Sequence, residues 1–190
     1  VLPSPVPTGY APYLIQAWSG GTVDTARNRL LVWGGGHNDY WGNEVYALDL
    51  PSLSMQRVVE LSPYTGQSAS TSSLPDGTPT SRHTYDGLAY AANVDQFLGF
   101  SGALSPGGQG EKATWVYEFG TQRWTMTVAN SPFRAPLYGL IAEYDAASGL
   151  VYVRDNYGLY TYNPTTRAYS SRIGTEGYIG DSTSGAIDTR

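Results

Sequence analysis

Short apolar runs separated by polar or glycine-rich turns recur along the chain, and the recurrence is itself periodic. From Gly20 the sequence reads G-G-T-V-D-T-A-R-N-R-L-L-V-W-G-G-G. This predicts a strand, a polar turn, a second strand and a glycine cluster. From Gly87 the same design returns as G-L-A-Y-A-A-N-V-D-Q-F-L-G-F-S-G, and from Ile141 as I-A-E-Y-D-A-A-S-G-L-V-Y-V-R-D-N-Y-G. In this alignment Asp24, Ala91 and Asp145 share one turn position, and Trp33, Phe100 and Arg154 share one strand end. A third strand follows in each copy: Val45-Tyr46-Ala47-Leu48, Val116-Tyr117-Glu118-Phe119 and Leu159-Tyr160-Thr161-Tyr162. After a further turn, a fourth strand carries an apolar anchor, Met55, Trp124 or Tyr169. Four short strands joined by turns predict a four-stranded antiparallel sheet per repeat. The copies differ in length through two loops, at residues 66–81 and 102–112.

Composition supports the all-β reading. The 190 residues include 16 Tyr, 5 Trp and 23 Gly, while charged residues make up only 14%. Many aromatics and glycines suit strands and tight turns, whereas a helical bundle would need more Ala, Leu, Glu and Lys. An apolar fraction of 41%, evenly spread, argues against disorder. The formal net charge is −5 and no Lys/Arg run is present, so nucleic acid and anionic membrane are poor partners. No apolar stretch is long enough to span a bilayer. The absence of Cys removes disulfides, thiolate metal sites and a Cys nucleophile.

A strand ending in a glycine pair, then a spaced Tyr, then a Trp, resembles the Kelch motif of galactose-oxidase-like β-propellers. The first repeat supplies Gly34-Gly35-Gly36 and Tyr46, with Met55 where Trp is usual. The second supplies Ser101-Gly102, Tyr117 and Trp124, and the third keeps Tyr160 without the glycines. The resemblance implies an all-β, partial propeller of Kelch-like antiparallel blades from a secreted or cell-surface protein. On this reading, residues 1–12 form a proline-rich lead-in and 13–62 the first blade. Residues 63–133 form a second blade with long loops, 134–176 a third, and 177–190 the first strand of an incomplete fourth. The glycine triplet is expected to serve close packing, since no helix follows it to cradle a phosphate. Three blades do not close a channel, so another chain, a second copy or a missing segment is the expected partner that completes the ring.

Candidate chemistry gathers at one mouth of such a ring. The loop after the second strand of the first repeat carries His37, Asp39, Tyr40 and Trp41. The entry to the second repeat carries Arg82, His83 and Tyr85, and the third repeat carries Arg154, Asp155, Asn156 and Tyr157. His37, His83, Tyr85 and Arg82 are the candidate catalytic residues, and the others are candidate ligand contacts. His serves as acid or base near neutral pH, Tyr can protonate a leaving oxygen, and Arg and aromatic faces hold carboxylates and sugar rings. In composition this set resembles that of propeller-based polysaccharide lyases. A packing part for Arg82 and His83 and a plain hairpin turn at Asp155–Gly158 stand beside these readings. Trp18, Trp33 and Trp115 read as packing, and Trp41 as the stacking candidate. No metal or organic cofactor is predicted, although Asp39 or Asp155 with carbonyls could take calcium. Copper chemistry of the galactose-oxidase kind needs a Tyr–Cys crosslink that this chain cannot make. The expected function is glycan binding or a structural role, with a carbohydrate-active enzyme, either a lyase or an oxidase fragment, and an extracellular assembly subunit as alternatives.

Overall fold

A computed structural model describes residues 2–9, 11–16, 18–35, 39–65, 71–104, 107–133, 138–174, 177–180 and 183–188. The protein is all-β, with three antiparallel sheets in chain order. Sheet I comprises β1 (Gly20–Asp24), β2 (Arg29–Trp33), β3 (Val45–Asp49) and β4 (Ser54–Val59). Sheet II comprises β5 (Arg82–His83), β6 (Leu88–Ala91), β7 (Gln96–Leu104), β8 (Gly110–Glu118) and β9 (Arg123–Val128). Sheet III comprises β10 (Ile141–Asp145), β11 (Leu150–Asp155), β12 (Gly158–Asn163) and β13 (Ala168–Tyr169). Among the described residues no helix is long and apolar enough to cross a membrane.

The turns explain why the three copies fold alike. The first hairpins close at Asp24 with Arg29, Ala91 with Gln96, and Asp145 with Leu150. Their last turn residues, Asn28, Asp95 and Gly149, all sit in the left-handed region, at φ 50°, 52° and 71°. The outer hairpins repeat this at Leu53, Gln122 and Arg167, at φ 53°, 56° and 57°. Short polar side chains brace several of these turns by accepting backbone N–H groups. Asp24 accepts from Arg27, Asp49 from Ser52, Asp145 from Ala147 and Ser148, and Asn163 from Thr165 and Thr166.

The register corrects one part of the repeat alignment. Leu48 pairs Met55, Tyr117 pairs Trp124, and Tyr162 pairs Tyr169. Tyr117 is therefore the counterpart of Leu48, and Trp115 is the counterpart of Tyr46. The expected match of 45–48 to 116–119 is two residues out of step. A two-residue slip preserves the face on which each side chain lies, so the alternation along the strand cannot reveal it. The loop expected at 102–112 is also narrower, because β7 runs to Leu104 and β8 starts at Gly110. Sheet II gains a fifth strand, β5, which pairs with the extended end of β7. The first strand expected near the C-terminus is not formed among the described residues; 183–188 are irregular, and Gly185 N donates to Asp86 at 2.8 Å.

Packing joins the sheets face to face in chain order. Leu31, Trp33, Val45 and Ala47 of sheet I pack on Leu88, Phe97 and Tyr117 of sheet II. The other face of sheet II, with Leu98, Phe100 and Val116, packs on Val151, Val153, Tyr160 and Tyr162 of sheet III. Strand β7 is consequently buried at every position, whereas β11 alternates. Val151, Val153 and Asp155 of β11 face the core, and Leu150, Tyr152 and Arg154 are half-buried on the other face. At full burial each large apolar side chain contributes about 1.5–3 kcal/mol. The inner strands β1, β6 and β10 lie side by side, with β6 touching both others. Two clefts open along this row of inner strands.

Candidate functional site

The stretch from Arg82 to Tyr85 brings three sheet-positioned elements together. His83 is buried at the end of β5, and its Nε2–H donates to the Asp39 carboxylate at 2.5 Å. Asp39 sits in the loop between β2 and β3, so the pair ties sheet I to sheet II. A carboxylate on one ring nitrogen fixes the tautomer and the orientation of the imidazole. The His83 ring lies 6.2 Å from that of Trp18 and 5.8 Å from that of Tyr85, centroid to centroid. Trp18 and Tyr85 are 6.0 Å apart, and Tyr85 meets Tyr138 edge-on at 6.2 Å.

Two of these residues hold unusual backbone geometry. Trp18 has φ 57° and Tyr85 has φ 50°, the left-handed region that bulky residues avoid. The Tyr85 N–H donates to the Trp18 carbonyl at 2.8 Å, so the two strained residues support each other. Such strain persists only where the surroundings over-determine it, and it clusters at ligand clamps and active sites. Trp18 and Tyr85, with Gln16, Asp86, Thr183 and Ser184, line a cleft of about 440 Å³. Trp18 remains 48% exposed and supplies an open aromatic wall. Trp18 was expected to be packing and Trp41 the stacking residue; the accessible ring is that of Trp18, while Trp41 is half-buried with its Nε1 enclosed and without a hydrogen-bond partner.

Arg82 faces the other way, into the seam between sheets I and II. It is 1% exposed and donates to the carbonyls of Thr80, Ser101 and Ser72 and to the Glu111 carboxylate. Its guanidinium lies over Trp33 at 5.5 Å and Trp115 at 6.0 Å. Burial draws its pKa down to about 9, against the pull of the Glu111 carboxylate, so the charge is kept at neutral pH. Any part for Arg82 in chemistry would run through these partners. Trp33 and Trp115 are core residues, as their packing reading expects. Tyr40 is likewise fully buried; its hydroxyl donates to Glu44, whose Oε1 also accepts Tyr46 at 2.9 Å. Burial and the Glu44 carboxylate push both phenols well above the ordinary range. His37 lies outside the described residues.

The third-repeat candidates form a separate group. Asp155 is buried, and its Oδ1 accepts the N–H groups of Tyr157 and Gly158, both at 2.8 Å. Asn156 accepts Ile179 N at 2.8 Å through its side chain and Gly177 N at 3.3 Å through its carbonyl. Arg154 donates to the Gly177 carbonyl at 3.0 Å, and the Tyr157 carbonyl accepts from Arg172. This is a hairpin turn that anchors the chain after β13. Among the described residues no cluster of three or more potential metal ligands exists. Asp39 and Asp155, the carboxylates considered for calcium, are engaged with His83 and with backbone N–H groups.

Two acidic residues of the inner row escaped notice in the sequence. Asp86 follows the strained Tyr85, and Glu143 lies at the centre of β10. Burial raises the pKa of Asp86, and burial together with the Asp86 charge pushes Glu143 up to about 7. Both sit in otherwise unremarkable strand or turn sequence, and only the lateral packing of inner strands reveals them. A scan against protein-family models and a search of curated proteins found no match.

Proposed function

We propose that the three sheets are consecutive Kelch-like blades of an extracellular β-propeller whose mouth binds carbohydrate. The threefold turn geometry, the face-to-face stacking and the row of inner strands support the propeller reading. The observation that carries the binding reading is the cleft walled by Trp18 and Tyr85, with the His83–Asp39 pair behind it. An accessible indole beside polar edge groups suits the apolar face and hydroxyl rim of a sugar ring. The described lining carries a carboxylate, Asp86, and no cationic side chain. That charge balance favours neutral glycans over the acidic polysaccharides that Arg82 and Arg154 first suggested. The half-buried outer face of β11 offers a place for a further blade, from another segment, a copy or a partner chain.

The test is a tryptophan-fluorescence titration with neutral and uronate oligosaccharides, repeated on Trp18→Ala. Saturable quenching by a neutral oligosaccharide, weakened at least tenfold by Trp18→Ala, supports the reading. Binding that ignores Trp18, or a preference for uronates, rejects it. The second reading is a carbohydrate-active enzyme, favoured by the His83–Asp39 geometry, in which His83 moves a proton at Nε2 or Nδ1 and Tyr85 stands beside it. Turnover lost in His83→Asn with the fold intact supports this enzyme reading over simple binding.

A further inference from the structure

A second cleft, of about 380 Å³, lies on the row of inner strands where β1, β6 and β10 meet. Its lining combines exposed and half-buried side chains, Thr22 and Val23 of β1, Leu30 of β2 and Glu143 and Tyr144 of β10, with the buried Leu88 and Tyr90 of β6. The two phenols are anchored at their far ends. Tyr90 donates to Asp95 at 2.7 Å, and the Tyr144 hydroxyl accepts Asn93 N at 3.3 Å. Their rings are thereby held in place, that of Tyr90 buried and that of Tyr144 half-buried. Glu143 is the one carboxyl among the described lining residues, and no described residue gives it a hydrogen bond or ion pair. A half-buried carboxyl with no hydrogen bond or ion pair from the described residues, on the wall of a cleft, offers a point for a counter-charge.

We propose that this cleft binds a small organic ammonium, an amine of aryl or alkyl body with its cationic group on Glu143 and its apolar body against Val23, Leu30 and Tyr144. The chemistry is complementary at each point. The carboxylate supplies the opposite charge, and Val23, Leu30 and the half-buried Tyr144 cover the body. Tyr152 of β11 is the direct cross-strand partner of Glu143. Asp86, just before β6, is anionic and disfavours a second negative charge, so an arriving cation relieves both. Gly21, Thr22 and Val23 of β1 carry no charge. Residues 183–185, whose Gly185 packs beside Ile141 and Glu143, carry none either.

A pH signature follows from the position of Glu143. Its pKa of about 7 makes it mostly protonated at pH 6 and mostly ionised at pH 8. Binding of an amine that stays protonated up to pH 8 should therefore tighten about tenfold between these pH values. The experiment is calorimetric titration with phenethylammonium and with 2-phenylethanol, its neutral analogue, at pH 6 and pH 8. The amine is expected to bind and to tighten about tenfold at the higher pH, with the alcohol at least tenfold weaker at pH 8. Glu143→Gln is expected to remove the pH dependence and the preference for the amine. Trp18→Ala is expected to leave amine binding unchanged, which separates this cleft from the proposed glycan site. Absent amine binding, equal binding of the alcohol, or an amine affinity untouched by Glu143→Gln would overturn the assignment.

Discussion

Arg82–Tyr85 and Arg154–Tyr157 each begin with Arg and end with Tyr, yet the fold uses them in opposite ways. The first stretch leaves a short strand, β5, and turns through a strained Tyr85 beside an equally strained Trp18. Its His83 and Tyr85 rings gather at a cleft with Trp18. The second stretch closes a two-residue hairpin between β11 and β12, and its polar groups hold backbone: Asp155 its own turn, Asn156 and Arg154 the chain at 177–179. Residue type alone does not distinguish a site from a staple. What distinguishes them is whether side chains bond to one another across sheets or to the nearest main chain.

The sharpest break of this comparison lies within the first stretch, at Arg82. Its charge is sealed between Trp33 and Trp115 and paired with Glu111. Arg82→Met strands the Glu111 carboxylate and three carbonyl acceptors, and should cost about 3–5 kcal/mol in urea unfolding. Arg82→Lys should recover little, because a single ammonium cannot match the planar fork that reaches Thr80, Ser101, Ser72 and Glu111. In the second stretch, Asp155→Ala leaves two turn N–H groups without their acceptor and should cost about 1–3 kcal/mol. Asp155→Asn keeps an Oδ1 acceptor and should cost less than half of that. Ligand binding at the Trp18 cleft should survive Asp155→Asn; a large loss there would dissolve the distinction between the two groups.

Much of the framework was legible in the residues. Alternation along the strands and the Asx-type turn residues Asp24, Asp49, Asp145 and Asn163 located the hairpins of sheets I and III closely. The second repeat was harder, because Ala91 and Glu118 replace the short acceptors and Ser101 introduces a bulge, with φ 60° and a register shift between β7 and β8. The hairpin role of Asp155 was visible locally. The His83–Asp39 pair joins residues 44 apart in sequence, so their residue types nominated them but no spacing rule could pair them. Trp18 and Glu143 were missed for a related reason: their importance comes from which inner strands lie side by side.

His83 offers a smaller and more specific perturbation. His83→Asn removes the ring contacts with Trp18 and Tyr85 and the hydrogen bond to Asp39. The stability cost should stay near 1–2 kcal/mol, because Asp39 is partly exposed and can be rehydrated. The Trp18 fluorescence should change even without ligand. If saccharide binding or turnover falls tenfold or more while the unfolding midpoint moves little, the first stretch is a site. If stability falls as far as in Arg82→Met, His83 belongs with the staples.

The mildest test concerns pH and the acidic pair of Asp86 and Glu143 on the inner row. Glu143 has its folded pKa raised to about 7 by burial and by Asp86. Near pH 4 the carboxyl is largely protonated in both states and contributes almost nothing. As pH rises past the ordinary carboxylate range, the unfolded chain releases its proton first, so stability falls until pH passes about 7. Because the side chain is half-exposed, solvent screening cuts the full effect to about 1–2 kcal/mol. Asp95, held low chiefly by its hydrogen bonds from Arg27, works with the opposite sign and at lower pH. Its contribution is present above the usual aspartate pKa and is lost on acidification below it. The two effects therefore occupy different windows. Urea unfolding of the protein and of Glu143→Gln from pH 4 to pH 8 should show curves that diverge between about pH 5 and pH 7, with the variant more stable at the alkaline end. Parallel curves would mean that Glu143 ionises as freely in the folded chain as in the unfolded one, and that the inner row exerts no electrostatic pressure on its second cleft.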